Sequence, residues 1–273
     1  MQIPKFRWDL TGTYSNIFEN DVVELSDEFG ITRTGNLGGG WGTTMPIMVH
    51  EKGKRWGQLV GNGIKRINGV PVLDANGFYE NDPEVNFGSV LPKVTGGLQN
   101  SFELFNDFTV NVNFDYQFGG KFSSLSNMWG SYSGLTARTA VANDKGNSIR
   151  DAVADGGGVH TVGVNAAGEP VEFYVEAQDY FHNLFSKKTF DDYIYDLTYI
   201  KLRELSVGYR VPLKKLGIHK HVSSLSVSFV ARNPVLIYAK TKDFDPSEVS
   251  AIYGETGQYP GTRGYGFNIR VGF

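Results

Sequence analysis

The sequence predicts an all-β fold whose antiparallel strands form a transmembrane β-barrel, and three observations carry that prediction. The last ten residues, Gly264 to Phe273, alternate large apolar with small or polar side chains without a break. The same alternation returns along the chain, most regularly from Phe108 to Phe118. Between these runs, short and long connections follow one another in strict turn.

In an extended strand successive side chains point to opposite faces. Tyr265, Phe267, Ile269, Val271 and Phe273 therefore share one face, and Gly266, Asn268, Arg270 and Gly272 the other. A half-buried soluble strand also alternates, but it rarely offers so many large apolar groups in succession and then ends the chain. Outer-membrane barrels do both, with lipid outside and a polar lumen within. The five apolar residues are accordingly the expected assembly signal.

Composition narrows the class. No apolar run reaches the ~18 residues of a membrane helix, and mean hydropathy is -0.26, so helical spans are excluded. A barrel passes that test because its apolar residues fall at every second position. The chain has no cysteine, so nothing rests on a disulfide or thiolate. Its 26 basic and 29 acidic residues are spread without blocks, which argues against a nucleic-acid partner. Residues 1 to 10 show no basic n-region, apolar core or small-residue cleavage site. The expectation is a processed chain or the downstream part of a longer protein.

Taken in order, Lys5 to Ser15 sets Phe6, Trp8, Leu10 and Tyr14 against Arg7, Asp9, Thr11 and Thr13. Weaker strands are expected at Thr44 to His50 and Arg55 to Ile64, joined by Glu51 to Lys54. Leu98, Asn100, Phe102 and Leu104 alternate with polar residues, and Phe105-Asn106-Asp107 makes a tight reversal into Phe108 to Phe118. Leu205, Val207 and Tyr209, then Leu225, Val227, Phe229 and Ala231, mark two more strands before the terminal one. The total is about eight strands, of the ~9 to 11 residues that cross a bilayer. Glu51 to Lys54, Phe105 to Asp107 and Val211 to Val222 are the short connections, expected on the periplasmic side with Phe273. Ile17 to Thr43, Lys65 to Lys93, Gly119 to Thr198 and Asn233 to Arg263 are the long, extracellular ones. A loop as long as Gly119 to Thr198 is expected to carry structure of its own, with an amphipathic helix near Val175 to Phe185.

The run Asp196 to Pro212, DLTYIKLRELSVGYRVP, resembles the signature near the end of SusC/RagA-like TonB-dependent outer-membrane transporters. Val230-Ala231-Arg232-Asn233, Asp243-Phe244-Asp245-Pro246 and Tyr259-Pro260-Gly261-Thr262-Arg263 follow in the family's order. Pro234 stands where leucine is usual, and Ser247 where glutamate often follows. The resemblance implies that residues 1–273 are the C-terminal part of such a barrel, with the plug domain and N-terminal strands outside this sequence. It further implies an outer-membrane location in a Gram-negative cell and uptake of oligosaccharide or peptide. A SusD-like surface lipoprotein and the TonB complex would be partners of the parent protein, and outer-membrane lipid would surround it.

No constellation makes a case for catalysis or for a cofactor. Asp74-Ala75-Asn76-Gly77 lacks the spacing of a calcium loop and reads as a plain turn. His219 and His221 lack a third metal ligand. Aromatic residues in the long loops are the better candidates: Trp41, Trp129 and Tyr132 could stack on sugar faces, or simply pack the loops. Two rival architectures remain open at this point. One is an autonomous eight-stranded outer-membrane barrel with a structural or adhesive role, and the other a soluble carbohydrate-binding β-sandwich.

Overall fold

The computed structural model describes residues 2–3, 5–35, 45–250 and 254–273. Six long strands make one antiparallel sheet in chain order: β1 (Phe6–Asn16), β2 (Val94–Leu104), β3 (Phe108–Phe118), β4 (Tyr199–Arg210), β5 (Ser224–Ala239) and β6 (Gly264–Gly272). A two-residue strand, Gln2–Ile3, folds back on the start of β1. Among the described residues β1 and β6 do not pair with each other, so the sheet is open.

The period-two pattern survives across all six strands because the register keeps it in phase. Trp8, Phe102, Val110, Val207, Phe229 and Phe267 lie in one cross-strand row. Arg7, Glu103, Thr109, Gly208, Ser228 and Asn268 form a neighbouring row on the opposite face. Asn100, a polar residue in the middle of the apolar face, accepts a hydrogen bond from Trp8 Nε1 at 3.3 Å. The reversal between β2 and β3 is as tight as the sequence predicts. Phe105 and Asn106 take left-handed φ values of 55° and 67°, the primed-turn geometry whose twist matches a hairpin.

Aromatic residues gather toward both ends of the apolar face. Phe108 and Tyr209 meet at 4.6 Å at one end, while Tyr14, Tyr116 and Tyr238 lie in a row at the other. Gly96 sits between Tyr14 and Tyr116, and a Cβ there would lie 2.3 Å from the Tyr116 hydroxyl, which donates to the Thr13 carbonyl.

Two features depart from the sequence expectation. Ile47–Glu51 and Gln58–Ile64 are strands, but they pair with Arg33–Thr34 and Asn81–Ser89 in a separate four-stranded sheet inside the first long connection. The long sheet accordingly has six long strands rather than about eight. The physical reason is burial on both faces: the consecutive residues Met48 and Val49, and Leu59 and Val60, are all buried, whereas a one-sided wall buries alternate residues. The second departure is β5, which continues past Asn233 to Ala239. A bulge absorbs Pro234, which has no N–H to give the ladder. Asn233 turns left-handed at φ 49°, and Arg203 is the extra residue of β4. The last long connection therefore begins at Lys240. With these changes long and short connections still alternate: 17–93, 105–107, 119–198, 211–223 and 240–263.

The three long connections leave the same end of the sheet and pack into a cap. The buried apolar core lies there: of the described buried hydrophobic residues, only Tyr199 and Ala231 belong to the six long strands. The second connection contributes helices α1 (Leu125–Tyr132) and α2 (Ala177–Ser186), the latter close to its predicted place. The first and second connections interlock through Asn62 and Asn81, whose side-chain amides both donate to the Lys187 carbonyl at 2.9 and 3.0 Å. Asp191 accepts from the Ile64 N–H at 2.7 Å. Gly61 permits this approach, since a Cβ there would lie 2.8 Å from the Phe190 ring. Gly61→Val is expected to destabilise the cap by about 1–3 kcal/mol through overpacking. Limited proteolysis of the cap during thermal unfolding checks this, and an unchanged transition would mean the contact has room to give.

Candidate functional site

The polar face of the sheet carries its densest charge cluster at the cap end. Lys201 projects from β4 onto that face, and its side chain is 3% exposed. Its ammonium donates to Asp245 Oδ2 at 2.7 Å, Ser247 Oγ at 2.9 Å and Glu248 Oε1 at 2.9 Å. All three donors are thus used, the condition under which a buried ammonium is tolerated. Asp245 also caps the turn Pro246–Glu248, accepting from the Ser247 N–H at 3.1 Å. Beside this group Arg203 reaches Asp115 at 2.8 Å, and the Tyr199 hydroxyl donates to the same carboxylate at 3.1 Å. The bulge at Arg203 supplies this second guanidinium, which also contacts Asn233 Oδ1 at 3.3 Å.

The connection 240–263 is held at a second point by Glu255, which is 5% exposed. Its carboxylate accepts from Ser124 Oγ at 2.6 Å, from the Ser126 hydroxyl and N–H at 2.8 and 3.1 Å, and from the Gly257 N–H at 2.7 Å. Ser124 is the N-cap of α1, so a negative charge sits where the helix dipole favours it. Asp243 accepts from Asn127 of α1 at 2.8 Å. The segment is a strap, fastened to the sheet by Lys201 and to the cap by α1.

A third anchor is Asp196, which accepts from Lys240 at 3.0 Å, Lys121 at 3.3 Å and Thr198 Oγ1 at 2.5 Å. Burial alone would raise its pKa, but the hydrogen bonds from Thr198, Lys240 and Lys121 outweigh it and bring the carboxyl to about 2. Burial likewise opposes, and the bonds from Lys201 and Ser247 outweigh, for Asp245, whose pKa falls below the usual carboxylate value. The Lys201 hydrogen bond lowers Glu248 as well.

The sequence-predicted residues fall in three places. Trp129 and Tyr132 lie on α1, where α2 brings Phe185 and His182 against them. Trp129 and Tyr132 each meet Phe185, at 4.8 and 4.7 Å, and Tyr132 stacks on His182 at 4.2 Å and 22°. Tyr132 and His182 line a cleft of about 700 Å³ between the two helices. Trp41 lies outside the described residues. Tyr265, Phe267, Ile269 and Val271 stand on the apolar face of β6, with Phe273 directly after it, and all five are exposed, Phe267 at 80%. His219 and His221 are exposed in the connection 211–223. Asp74 closes a turn, accepting from the N–H groups of Asn76 and Phe78 at 2.9 and 3.0 Å. Among the described residues no three His, Asp or Glu side chains converge as metal ligands. The Lys201 cluster was not anticipated from sequence. Its one sequence signal is a lysine on the polar face of a strand, facing a loop rich in Asp and Glu.

No protein-family model matches the chain, and no curated protein matches it by sequence. Solved structures do match. A chain of the RagAB peptide importer in its closed-closed state superposes with a TM-score of 0.60 at 14% identity, covering 99% of this chain and 28% of that one. In the open-open state the values are 0.61, 15%, 100% and 27%. A structure of the RagAB peptide transporter gives 0.59 at 16% identity over 99% and 28%. The chain thus spans little more than a quarter of the chains it matches. At these identities the likeness establishes the fold, a mostly antiparallel β architecture shared with part of those chains.

The strap yields a test with a pH arm. Lys201→Met leaves Asp245 and Glu248 facing one another without their cation. It is expected to cost on the order of 3 kcal/mol, the low end for a broken buried pair because both carboxylates keep some water. In the unsubstituted protein the depressed carboxylates contribute fully above about pH 5, and that contribution is lost as pH falls through their folded values. Protease cleavage within 240–263 should therefore rise in the variant at neutral pH, and in the parent on acidification toward pH 2. Equal cleavage of both proteins at all pH values contradicts the assignment.

Proposed function

We propose that residues 1–273 are the C-terminal part of the β-barrel wall of a TonB-dependent nutrient importer in the outer membrane of a Gram-negative cell. The cargo is oligosaccharide or peptide, a SusD-like surface lipoprotein is the partner on the cap side, and the role is transport rather than catalysis. Contacts with TonB belong to other parts of the importer.

One observation carries this reading: among the described residues nothing in the chain covers the apolar face of the six-stranded sheet, while the cap has a buried core of its own. Leu10, Tyr14, Tyr265, Phe267 and Ile269 are between 53% and 80% exposed. Leaving such side chains in water forfeits roughly 1.5–3 kcal/mol each, and a lipid environment recovers it. Aromatic rows near both ends of the face fit the girdles of a membrane barrel. The eight steps from Phe108 to Tyr116 span roughly 26 Å along the strand at ~3.3 Å per residue, close to the ~25 Å apolar band of such barrels.

A soluble sandwich requires a second sheet over this face, and the other sheets lie within the connections instead. A self-contained small barrel requires β1 to meet β6. Closure in the proposed importer comes from strands elsewhere in the parent protein, which satisfy both free edges. The short turns and Phe273 share one end and the cap stands at the other; in this reading the cap faces the cell exterior.

Two experiments test the reading. Val112→Arg puts a charge on the apolar face and should cost roughly 2–4 kcal/mol near the bilayer midplane, whereas Asn113→Arg faces the lumen and should be tolerated. Equal levels of both variants in the outer membrane would contradict the facing assignment. Deleting Phe273 from the parent protein should lower the folded, heat-modifiable population in the outer membrane, because the terminal strand is the assembly signal. Unchanged levels would remove that role from Tyr265 to Phe273.

A further inference from the structure

The cleft between the end of α1 and the start of α2 has a charge pattern that the importer reading leaves unused. Arg150 is held in it by neutral acceptors only. Its Nε donates to the Thr139 carbonyl at 2.7 Å, and its Nη2 to the Gly134 carbonyl at 2.5 Å and to Thr139 Oγ1 at 2.8 Å. Among the described residues no carboxylate pairs with it, and Nη1 makes no hydrogen bond. The guanidinium is thus oriented in advance while its charge stays uncompensated, the state suited to receiving a carboxylate.

The α2 side of the same cleft is acidic. Asp179 has no partner among the described residues, and Glu176 uses one carboxylate oxygen, accepting from the Val153 N–H at 2.9 Å. The same cleft is also lined by aromatic residues, the stacked Tyr132 and His182 and the ring of Phe181. The volume, about 700 Å³, falls within the range of small-molecule sites, ~300–1,000 Å³.

We propose that this cleft binds a zwitterionic short peptide. Its terminal carboxylate rests on Arg150, its apolar or aromatic side chain lies against Tyr132 and Phe181, and its ammonium faces Asp179. The charges decide among ligand classes. A phosphate with nearly two negative charges meets Glu176 and Asp179 and is repelled. A neutral sugar can stack on Tyr132 but leaves both Arg150 and Asp179 unanswered. Only a ligand with both charges and an apolar body uses the whole cleft. The importer reading enters in one respect, that the cleft faces the cell exterior where such peptides arrive.

Calorimetric titration of the full protein in detergent tests this with four probes: glycylglycylphenylalanine, its C-terminal amide, its N-acetyl derivative and maltotriose. The free peptide should bind, with amide and acetyl forms at least about tenfold weaker, a factor worth ~1.4 kcal/mol. Arg150→Met should abolish the preference of acid over amide. Asp179→Asn lies on an exposed rim with no bond to lose, and it should abolish the preference of free amine over acetyl even if Arg150→Met disturbs the fold. Equal binding of acid and amide to the parent protein, or maltotriose binding in place of peptide, overturns the proposal. Heat-modifiable migration of the same samples reads insertion separately. A protein that inserts without binding peptide sinks the cleft alone, and one that binds peptide without inserting sinks the importer reading alone.

Discussion

Everything in this molecule depends on six strands keeping their side-chain alternation in phase across one sheet. Because the side-chain period is two, a slip of one residue between any neighbouring pair would send an entire strand's apolar set to the polar face. Several local devices hold the phase. The left-handed pair Phe105 and Asn106 sets the register of β2 against β3. Trp8 and Asn100 meet in the β1–β2 pair through a hydrogen bond that a slipped register could not make. At Arg203 and Asn233 the extra residues of β4 and β5 are absorbed in a bulge, after which Leu202 and Val235 pair.

Once the phase holds, the two faces have different fates. Among the described residues the apolar face stays uncovered, and the polar face receives the strap at its cap end through Lys201. The strap is the point at which wall and cap become one structure. Lys201 ties it to β4 and Glu255 ties it to the N-terminus of α1, while Asp196 joins Lys121 of the second connection to Lys240 at the strap's root. The cap itself is an ordinary globular core, with Tyr193, Phe122, Met48 and Met128 almost fully enclosed.

Much of the sheet was legible in the sequence, because a one-sided wall writes its period directly into the residues. Phe108 to Phe118 is a strand over its predicted length, and the terminal strand and the helix near Val175 to Phe185 lie within a residue or two of expectation. What was not legible needed information beyond local period. Alternation marks Ile47–Glu51 and Gln58–Ile64 as strands without saying which sheet takes them, and their consecutive buried residues become visible only once the cap has formed. Pro234 reads as a strand end until the bulge accommodates it. The Lys201 cluster joins residues 44 to 47 positions apart, and the Tyr132–His182 stack exists only because α2 folds onto α1.

The central claim is that the two faces of the sheet meet different solvents, and the most direct measurement is a spin-label scan of residues 108–118 in the parent protein in intact outer membrane. Collision rates with oxygen, which partitions into lipid, and with a water-soluble nickel chelate should alternate with a period of two and in opposite phase. Oxygen should dominate at Val110, Val112 and Phe114, and the chelate at Asn111, Asn113 and Asp115. Uniform access of the chelate to both sets, or shielding of the even positions from both reagents by protein, would contradict the account.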